Sequence, residues 1–305
     1  MLTGVVDERQ QIHREHRERS TGLSEEQLID ELGEEIEEAM AARPKVVAAG
    51  LGIPSTIDQR RGLAISSVNL PIADVPIRDR VAERVGLPVF IENDANCAAF
   101  AEYLYGAGRG SENLVVLTIG TGVGGGLIIG GEIYRGSIGA GAELGHMVID
   151  ENGPRCQGNC PNHGCVEALA SGTAIGRAGR EAAEREPDSA LGEALAAGET
   201  IDGRAVTVAA REGDRVASEV VEMTGRHLGV ALASYANIFN PNVIVIGGGA
   251  AAGAGELLLE PARAELRARA LPPMNETPVK PAEMGEDAGM IGAAAMALRE
   301  VAAGG

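Results

Sequence analysis

Leu114-Val115-Val116-Leu117-Thr118-Ile119-Gly120-Thr121-Gly122-Val123-Gly124-Gly125-Gly126-Leu127-Ile128-Ile129-Gly130-Gly131-Glu132-Ile133-Tyr134 is the stretch on which the fold turns. Its first six residues form an apolar run of strand type, and Gly120, Gly122 and Gly125 then match the G-x-G-x-x-G spacing of a dinucleotide-binding bend. A Rossmann bend must open into a helix, because the pyrophosphate rests on that helix's N-terminus. Here the chain continues into Leu127-Ile128-Ile129, a Gly130-Gly131 turn and Glu132-Ile133-Tyr134, which predicts a hairpin. The dinucleotide reading is thereby rejected. A strand-bend-strand with glycines at its first bend still offers a concave row of N–H groups suited to phosphate. A merely tight bend is the plainer alternative, and it needs fewer glycines.

Working outward, the same rhythm of buried strand, loop and helix recurs. Leu2 to Val6 reads as a strand, and Leu23 to Ala42 as a helix with a Ser24/Gln27 capping box. Val46 to Ile53 reads as a buried strand, Asp74 to Val85 as a helix, Pro88 to Ile91 as another buried strand and Ala95 to Tyr105 as a helix. Beyond the hairpin, Ser171 to Glu186 and Arg215 to Ala236 are predicted helices. Val243 to Ile246 is a strand ending in Gly247-Gly248-Gly249, followed by helices from Gly255 to Ala270 and Gly289 to Val301. The pattern predicts a mostly parallel sheet with helices on its faces. With the boundary set in the glycine-rich 106–110 stretch, a small α/β domain spans 1–108, joined by the closing helix 289–302, and a large one spans 109–288.

Composition narrows the function. The chain has 305 residues, a formal charge of −18, 45% hydrophobic residues and no apolar run long enough to cross a membrane as a helix. The first twenty residues are charged, which excludes a secretory signal, so the expected location is cytoplasmic. Strong acidity opposes binding to nucleic acid. Lys45 and Lys280 are the two lysines and neither follows a glycine, so a Walker-type loop is absent; any phosphate must be held by backbone N–H groups, hydroxyls and a divalent cation.

Between Glu143 and Glu167 stand His146, Cys156, Cys160 and Cys165, three of the chain's four cysteines. Three thiolates and one imidazole complete a tetrahedral shell for a structural Zn²⁺. His163 is an alternative nitrogen donor and Cys97 an alternative sulfur. Glu143 and Glu167, fixed beside such a knot, are candidate acceptors for hydroxyl donors. Asp94, at the carboxyl end of a buried strand, is the candidate general base, while Asn93 or Asp94 also suits the cap of the following helix.

With these residues in place, the chain resembles the ROK family of sugar kinases and sugar-responsive repressors, most of all its bacterial glucokinases. The motifs that carry the likeness are Gly52-Ile53-Pro54, Glu92-Asn93-Asp94-Ala95-Asn96, Leu117 to Gly126, Glu143-Leu144-Gly145-His146 and Gly164-Cys165-Val166-Glu167. The resemblance implies a two-domain α/β actin-like ATPase (ribonuclease H-like) fold closing over an interdomain cleft. It implies ATP-dependent phosphorylation of a hexose, glucose first, at the 6-hydroxyl, with Mg²⁺ on the ATP. Asp94 would take the hydroxyl proton; Asn69, Asn93, Glu143, His146 and Glu167 would hold the sugar. Thr118, Gly120, Thr121 and Gly122 would approach the phosphates, and Gly247, Gly248 and Gly249 would border the adenosine. A homodimer or tetramer is expected.

Three departures accompany the likeness. The family's opening strand and phosphate loop, Asp-x-Gly-Gly-Thr-Lys, have no counterpart, because Met1 aligns after them; the expectation is that an internal methionine was taken as the start and that the chain as written binds ATP poorly. The spacing from Cys156 to Cys160 is wider than the family's Cys-x-Cys, so the zinc loop must bulge. Ser55 stands where glycine is usual. Sugar sensing without catalysis, and polyphosphate as donor, are the alternatives.

Overall fold

The computed structural model describes residues 1–9, 11–17, 22–43, 45–67, 70 and 72–304. The chain opens with an antiparallel pair, β1 (Leu2–Val6) and β2 (Ile12–Arg17). Helix α1 (Glu25–Ala42) starts at the expected capping box, the Ser24 hydroxyl accepting from the Gln27 amide while the Gln27 side chain accepts from the Ser24 amide. Next come β3 (Ala49–Ile53), a meander of β4 (Thr56–Asp58), β5 (Leu63–Ser66) and β6 (Ala73–Val75), helix α2 (Ile77–Val85), β7 (Val89–Asn93) and helix α3 (Asp94–Tyr105). β3 and β7 pair in parallel. The helix expected from Asp74 begins only at Ile77: Asp74 lies in β6 with φ 55, and Pro76 holds its predecessor out of helical geometry.

The second half contains β8 (Leu114–Ile119), β9 (Val123–Ile129) and β10 (Glu132–Ile133), followed by a 3-10 turn at Leu144–His146. Helices α4 (Val166–Ala170), α5 (Gly172–Arg185), α6 (Ala190–Ala196), α7 (Gly203–Arg211) and α8 (Arg215–Phe239) lead to β11 (Val243–Gly247). Then come α9 (Gly249–Ala254), α10 (Glu256–Arg269), β12 (Val279–Pro281) and α11 (Ala288–Gly304). The expected long helix from Gly255 is preceded by a separate short one, because Gly255 itself takes φ 57 and breaks the run.

Five strands form one sheet in the order β10-β9-β8-β11-β12. β8, β11 and β12 are parallel, and β9 and β10 are antiparallel to their neighbours. The sheet is thus less parallel than expected. The physical reason is loop length: a Gly130-Gly131 turn, both residues at positive φ, can join only antiparallel strands. Val115, Leu117, Ile119 and Ile244 are fully buried, each contributing about 1.5–3 kcal/mol of apolar burial.

The position of α3 decides where the candidate base stands. Gly124 and Gly126 turn bare Cα atoms toward it: a Cβ on Gly126 would lie 2.5 Å from the Ala99 Cβ, and one on Gly124 3.1 Å from the Ala95 Cβ. Gly125 faces the other way, where a Cβ would lie 2.7 Å from the Leu144 Cγ. Three glycines expected to serve a phosphate bend are therefore strand residues, whose missing side chains let one element dock on each face of β9.

Candidate active site

Asn93 is the cap of α3. Its side-chain oxygen accepts from the amides of Ala95 (3.0 Å) and Asn96 (3.1 Å), and its amide group donates to the Ser55 carbonyl at 3.3 Å. This leaves Asp94 free of capping duty. One Asp94 oxygen accepts from the Ala95 amide at 2.9 Å, and the side chain faces a cavity while staying open to water. The protein atoms walling it in lift its carboxyl above the ordinary aspartate range, against the pull of the Ala95 and Asp94 amides.

Beside it, Glu92 is almost wholly buried and its carboxylate is saturated. It accepts from Arg135 Nε (2.6 Å), Gln59 Nε2 (3.0 Å), Asn96 Nδ2 (3.0 Å) and the Asn93 amide (2.9 Å). Arg135 begins the segment that leads to Glu143, so this ion pair ties that segment to the strand carrying Asn93. Sequence inspection quoted Glu92 in a motif but gave it no role; a carboxylate at the end of a buried strand, one residue before the cap, was the available signal. Ser55 is buried and its hydroxyl donates to the Ser66 carbonyl at 2.8 Å, which fastens the loop after β3 to β5.

Register brings the two glycine bends together. In the parallel β8–β11 pair, Gly247 lies opposite Thr118, so Thr118 and Gly120–Gly122 on one side and Gly247–Gly249 on the other share the carboxyl ends of adjacent strands. That edge of an α/β sheet is where ligands bind. Gly248, at φ 90, sits where a Cβ would come within 2.4 Å of the Ile119 carbonyl, so only glycine lets the bends approach. Beyond Gly120 and Gly249 the space is open, and the Thr121 carbonyl accepts from Thr173 Oγ1 (2.8 Å), which anchors the first bend to α5.

The cysteine segment folds as the spacing suggests. His146, Cys156, Cys160 and Cys165 place their ligand atoms within 4.8 Å of one another. The Cys160–Cys165 sulfurs are 3.8 Å apart, and Cys156 Sγ lies 3.6 Å from His146 Nδ1. A tetrahedral ion with bonds of about 2.3 Å to sulfur and about 2.0–2.1 Å to nitrogen has edges of about the same lengths. The donor set therefore fits zinc. His163 stands apart, its Nδ1 3.3 Å from the Gly153 carbonyl, and Cys97 is buried on α3. The wider cysteine spacing is absorbed by a turn in which the Cys160 amide donates to the Gln157 carbonyl.

With Nδ1 turned to the sulfurs, His146 presents Nε2 to Glu143, 4.0 Å from its carboxylate. Glu143 is exposed and Glu167 is partly buried. One Glu167 oxygen accepts from the Val123 amide at 2.9 Å and the other lies 3.7 Å from Cys156 Sγ. Glu167 thus joins the cysteine segment to the glycine bend. Asn69 lies outside the described residues.

An α/β architecture, a mixed five-stranded sheet with facing glycine bends at its strand ends and a carboxylate at the start of the helix seated on β9 define the actin-like ATPase class. Comparison with known proteins refines this. The ROK family profile matches residues 1–300, and the chain belongs to the ROK family. It is 41% identical to the glucokinase of Thermotoga maritima over 249 residues (81% of this chain, 78% of that one). It is 36% identical to the glucokinase of Streptomyces coelicolor over 303 residues (97% and 94%). Among solved structures, the ROK family glucokinase of Streptomyces griseus in complex with glucose and AMPPNP superposes with a TM-score of 0.84 at 34% identity, covering 98% of this chain and 96% of that one. The family also includes regulators: a xylose repressor of Caldicellulosiruptor bescii is 30% identical over 262 residues (85% of this chain, 65% of the repressor). Among the described residues, no helix is long and apolar enough to cross a membrane.

Proposed function

We propose that this protein is a cytoplasmic sugar kinase that transfers the γ-phosphoryl group of Mg-ATP to the 6-hydroxyl of a hexose, glucose first. The observation that carries the reading is the convergence at one end of β9: Thr118 and Gly247 side by side at adjacent strand ends, and α3, which begins at Asp94, seated on Gly124 and Gly126. The glucokinase relatives and the glucose–AMPPNP complex support it.

In this reading Asp94 accepts the proton of the 6-hydroxyl as that oxygen attacks the γ-phosphorus. The bond to the bridging oxygen breaks, ADP leaves, and the proton passes from Asp94 to water. A base so placed contributes about 10²- to 10⁴-fold. Mg²⁺, when bound with ATP, neutralises phosphate charge; Thr118, Gly120, Thr121 and Gly122 border the phosphates, and Gly247, Gly248 and Gly249 the adenosine. Asn69, Asn93, Glu143, His146 and Glu167 hold sugar hydroxyls. His146, Cys156, Cys160 and Cys165 hold a structural zinc, which fixes the His146 ring so that Nε2 meets the sugar. Glu167 meets the Val123 amide with one oxygen, and the other, beside Cys156 Sγ, is the one that would accept from a sugar hydroxyl.

The cleft in this reading lies between a lobe of residues 1–108 with the 289–302 helix and a lobe of residues 109–288, in a dimer or tetramer. ADP release over a panel of glucose, mannose and N-acetylglucosamine, with ATP and with polyphosphate, tests the proposal. Glucose with ATP is expected to give the highest rate. Sugar binding by calorimetry with no sugar-stimulated ADP release favours a sensing role instead, the one that the repressor relatives represent.

A further inference from the structure

Glu102, in the last turn of α3, is 1% exposed and holds backbone from two separate segments of the chain. Its Oε2 accepts from the Ala107 amide at 2.8 Å, and its Oε1 accepts from the amides of Glu283 (2.9 Å) and Met284 (2.8 Å). Its own carbonyl accepts from the amides of Gly106 (3.1 Å) and Gly108 (3.0 Å). Gly106 makes the room: a Cβ there would stand 2.1 Å from Oε2 and press the carboxylate off its donors. A carboxylate withdrawn from water is costly unless donors meet it, and here main-chain N–H groups do so.

Those segments are the two crossings between the halves of the molecule. Residues 106–113 lead from α3 into β8, and residues 282–287 lead from β12 to α11. In the two-lobe reading proposed above, on which this inference rests, the chain passes from one lobe to the other in the first segment and returns in the second. One carboxylate thus ties the outward crossing to the return. Helix α3 itself lies between the lobes. Ala95 and Ala99 face Gly124 and Gly126 of β9, while α11 comes so close that a Cβ on Gly292 would stand 1.8 Å from the Cys97 carbonyl oxygen. Asp94 heads the same helix, about 12 Å along the axis from Glu102.

We propose that Glu102 is a positioning residue for Asp94. By clasping the two crossings it gives the lobes a single point about which to close, and it fixes the far end of the helix whose near end carries Asp94. When the lobes come together on a sugar, the head of α3 then arrives at the 6-hydroxyl in one orientation and water is shut out. With the clasp loosened, the crossings bend independently and the lobes meet without aligning α3.

The test compares the full native chain with Glu102→Gln. A side-chain amide keeps one accepting oxygen and turns an NH2 group toward the crossing it no longer holds, so the clasp opens on one side with little change in volume. Without ligand, hydrogen exchange at residues 106–108 and 283–284 is expected to quicken about tenfold or more. With glucose, the native protein is expected to contract in small-angle X-ray scattering, and the variant to contract less. In ADP release, kcat should fall about ten- to a hundredfold, since a half-closed site admits water and leaves the hydroxyl out of line. The Kd for glucose should move far less, because Glu143, His146 and Glu167 stand on the other lobe. Contraction needs sugar alone, so the clasp can be read even in a protein that senses glucose without phosphorylating it. Gly106→Ala, which presses on the same carboxylate while keeping it, is expected to act in the same direction. Exchange that stays slow in Glu102→Gln overturns the inference. So does a pair of variants that lose only Tm and, well below their melting temperatures, contract and turn over as the native protein does; Glu102 is then a brace. A native protein that does not contract sinks the two-lobe reading and takes the inference with it.

Discussion

The two sides of the candidate cleft are built to different standards. On the His146 side the chain is cross-linked at short intervals: Cys156 N to Asn162 O, Ile149 N to Gly164 O and Val166 N to Met147 O are all 2.9 Å, and Tyr235 donates its buried hydroxyl to the Leu144 carbonyl at 2.6 Å. On the Asp94 side the support is a capped helix resting on glycines and, among the described residues, a two-stranded parallel pair. The cysteine segment is held at many points, while the group proposed to act on a sugar depends on one helix cap and on the seat of that helix on β9. Holding tolerates little drift because several hydroxyls must be met at once. A lone carboxylate needs chiefly the right solvent environment.

That contrast can be broken from the Asp94 side first, where the largest effect is expected. Asp94→Asn should lower kcat by about 10²- to 10⁴-fold with little change in glucose affinity, read by ADP release and calorimetry. Because burial raises the Asp94 carboxyl above 3.8, the rate of the native protein should climb with pH along a limb that lies above 3.8. Across that same window the folded state keeps a proton that the unfolded chain has released. Stability therefore declines as pH rises through it, and Asp94→Asn should remove that slope in urea titrations taken at several pH values.

On the other side, stripping the proposed zinc with a chelator, or Cys165→Ser, should weaken sugar binding about 10- to 100-fold through a disordered His146 ring. KM should suffer far more than the pH limb, and metal content by mass spectrometry should fall in step. A result in which kcat alone collapses would erase the distinction between the two sides. Glu92→Gln bears on the tie between them. It weakens the contact with Arg135, and an unfolding loss of about 1–2 kcal/mol with a raised KM is expected, since Arg135 is partly solvated. The smallest effect belongs to a site remote from both: Ser24→Ala removes the α1 cap, should cost about 1 kcal/mol in thermal unfolding and should leave kinetics untouched.

Much of this was legible in the sequence, and the reasons differ by region. The β8–β9–β10 hairpin could be read because Gly130-Gly131 admits one kind of turn. The convergence of His146 with Cys156, Cys160 and Cys165 could be read because thiols that close together in chain are rarely accidental. β2 was missed: Ile12-His13-Arg14-Glu15-His16-Arg17 carries no apolar alternation, and its strand form comes from pairing with β1. The meander of β4, β5 and β6 escaped for want of length. Glycines 124 to 126 were noticed for a phosphate role, yet their service as seats for α3 and Leu144 depends on a tertiary approach that no local pattern records. Glu92 was hidden for the same reason, because Arg135 lies 43 residues away and meets it only in the folded chain.

Glu167 carries a consequence of its own. One carboxylate leans on Cys156 and grips the Val123 amide, so a molecule that tightens or loosens the backbone near Val123 alters the footing of the cysteine segment as well. By thermodynamic reciprocity the traffic runs equally in both directions: whatever a ligand at the proposed phosphate end does to affinity at the proposed sugar end, a ligand at the sugar end does in the same measure to the phosphate end.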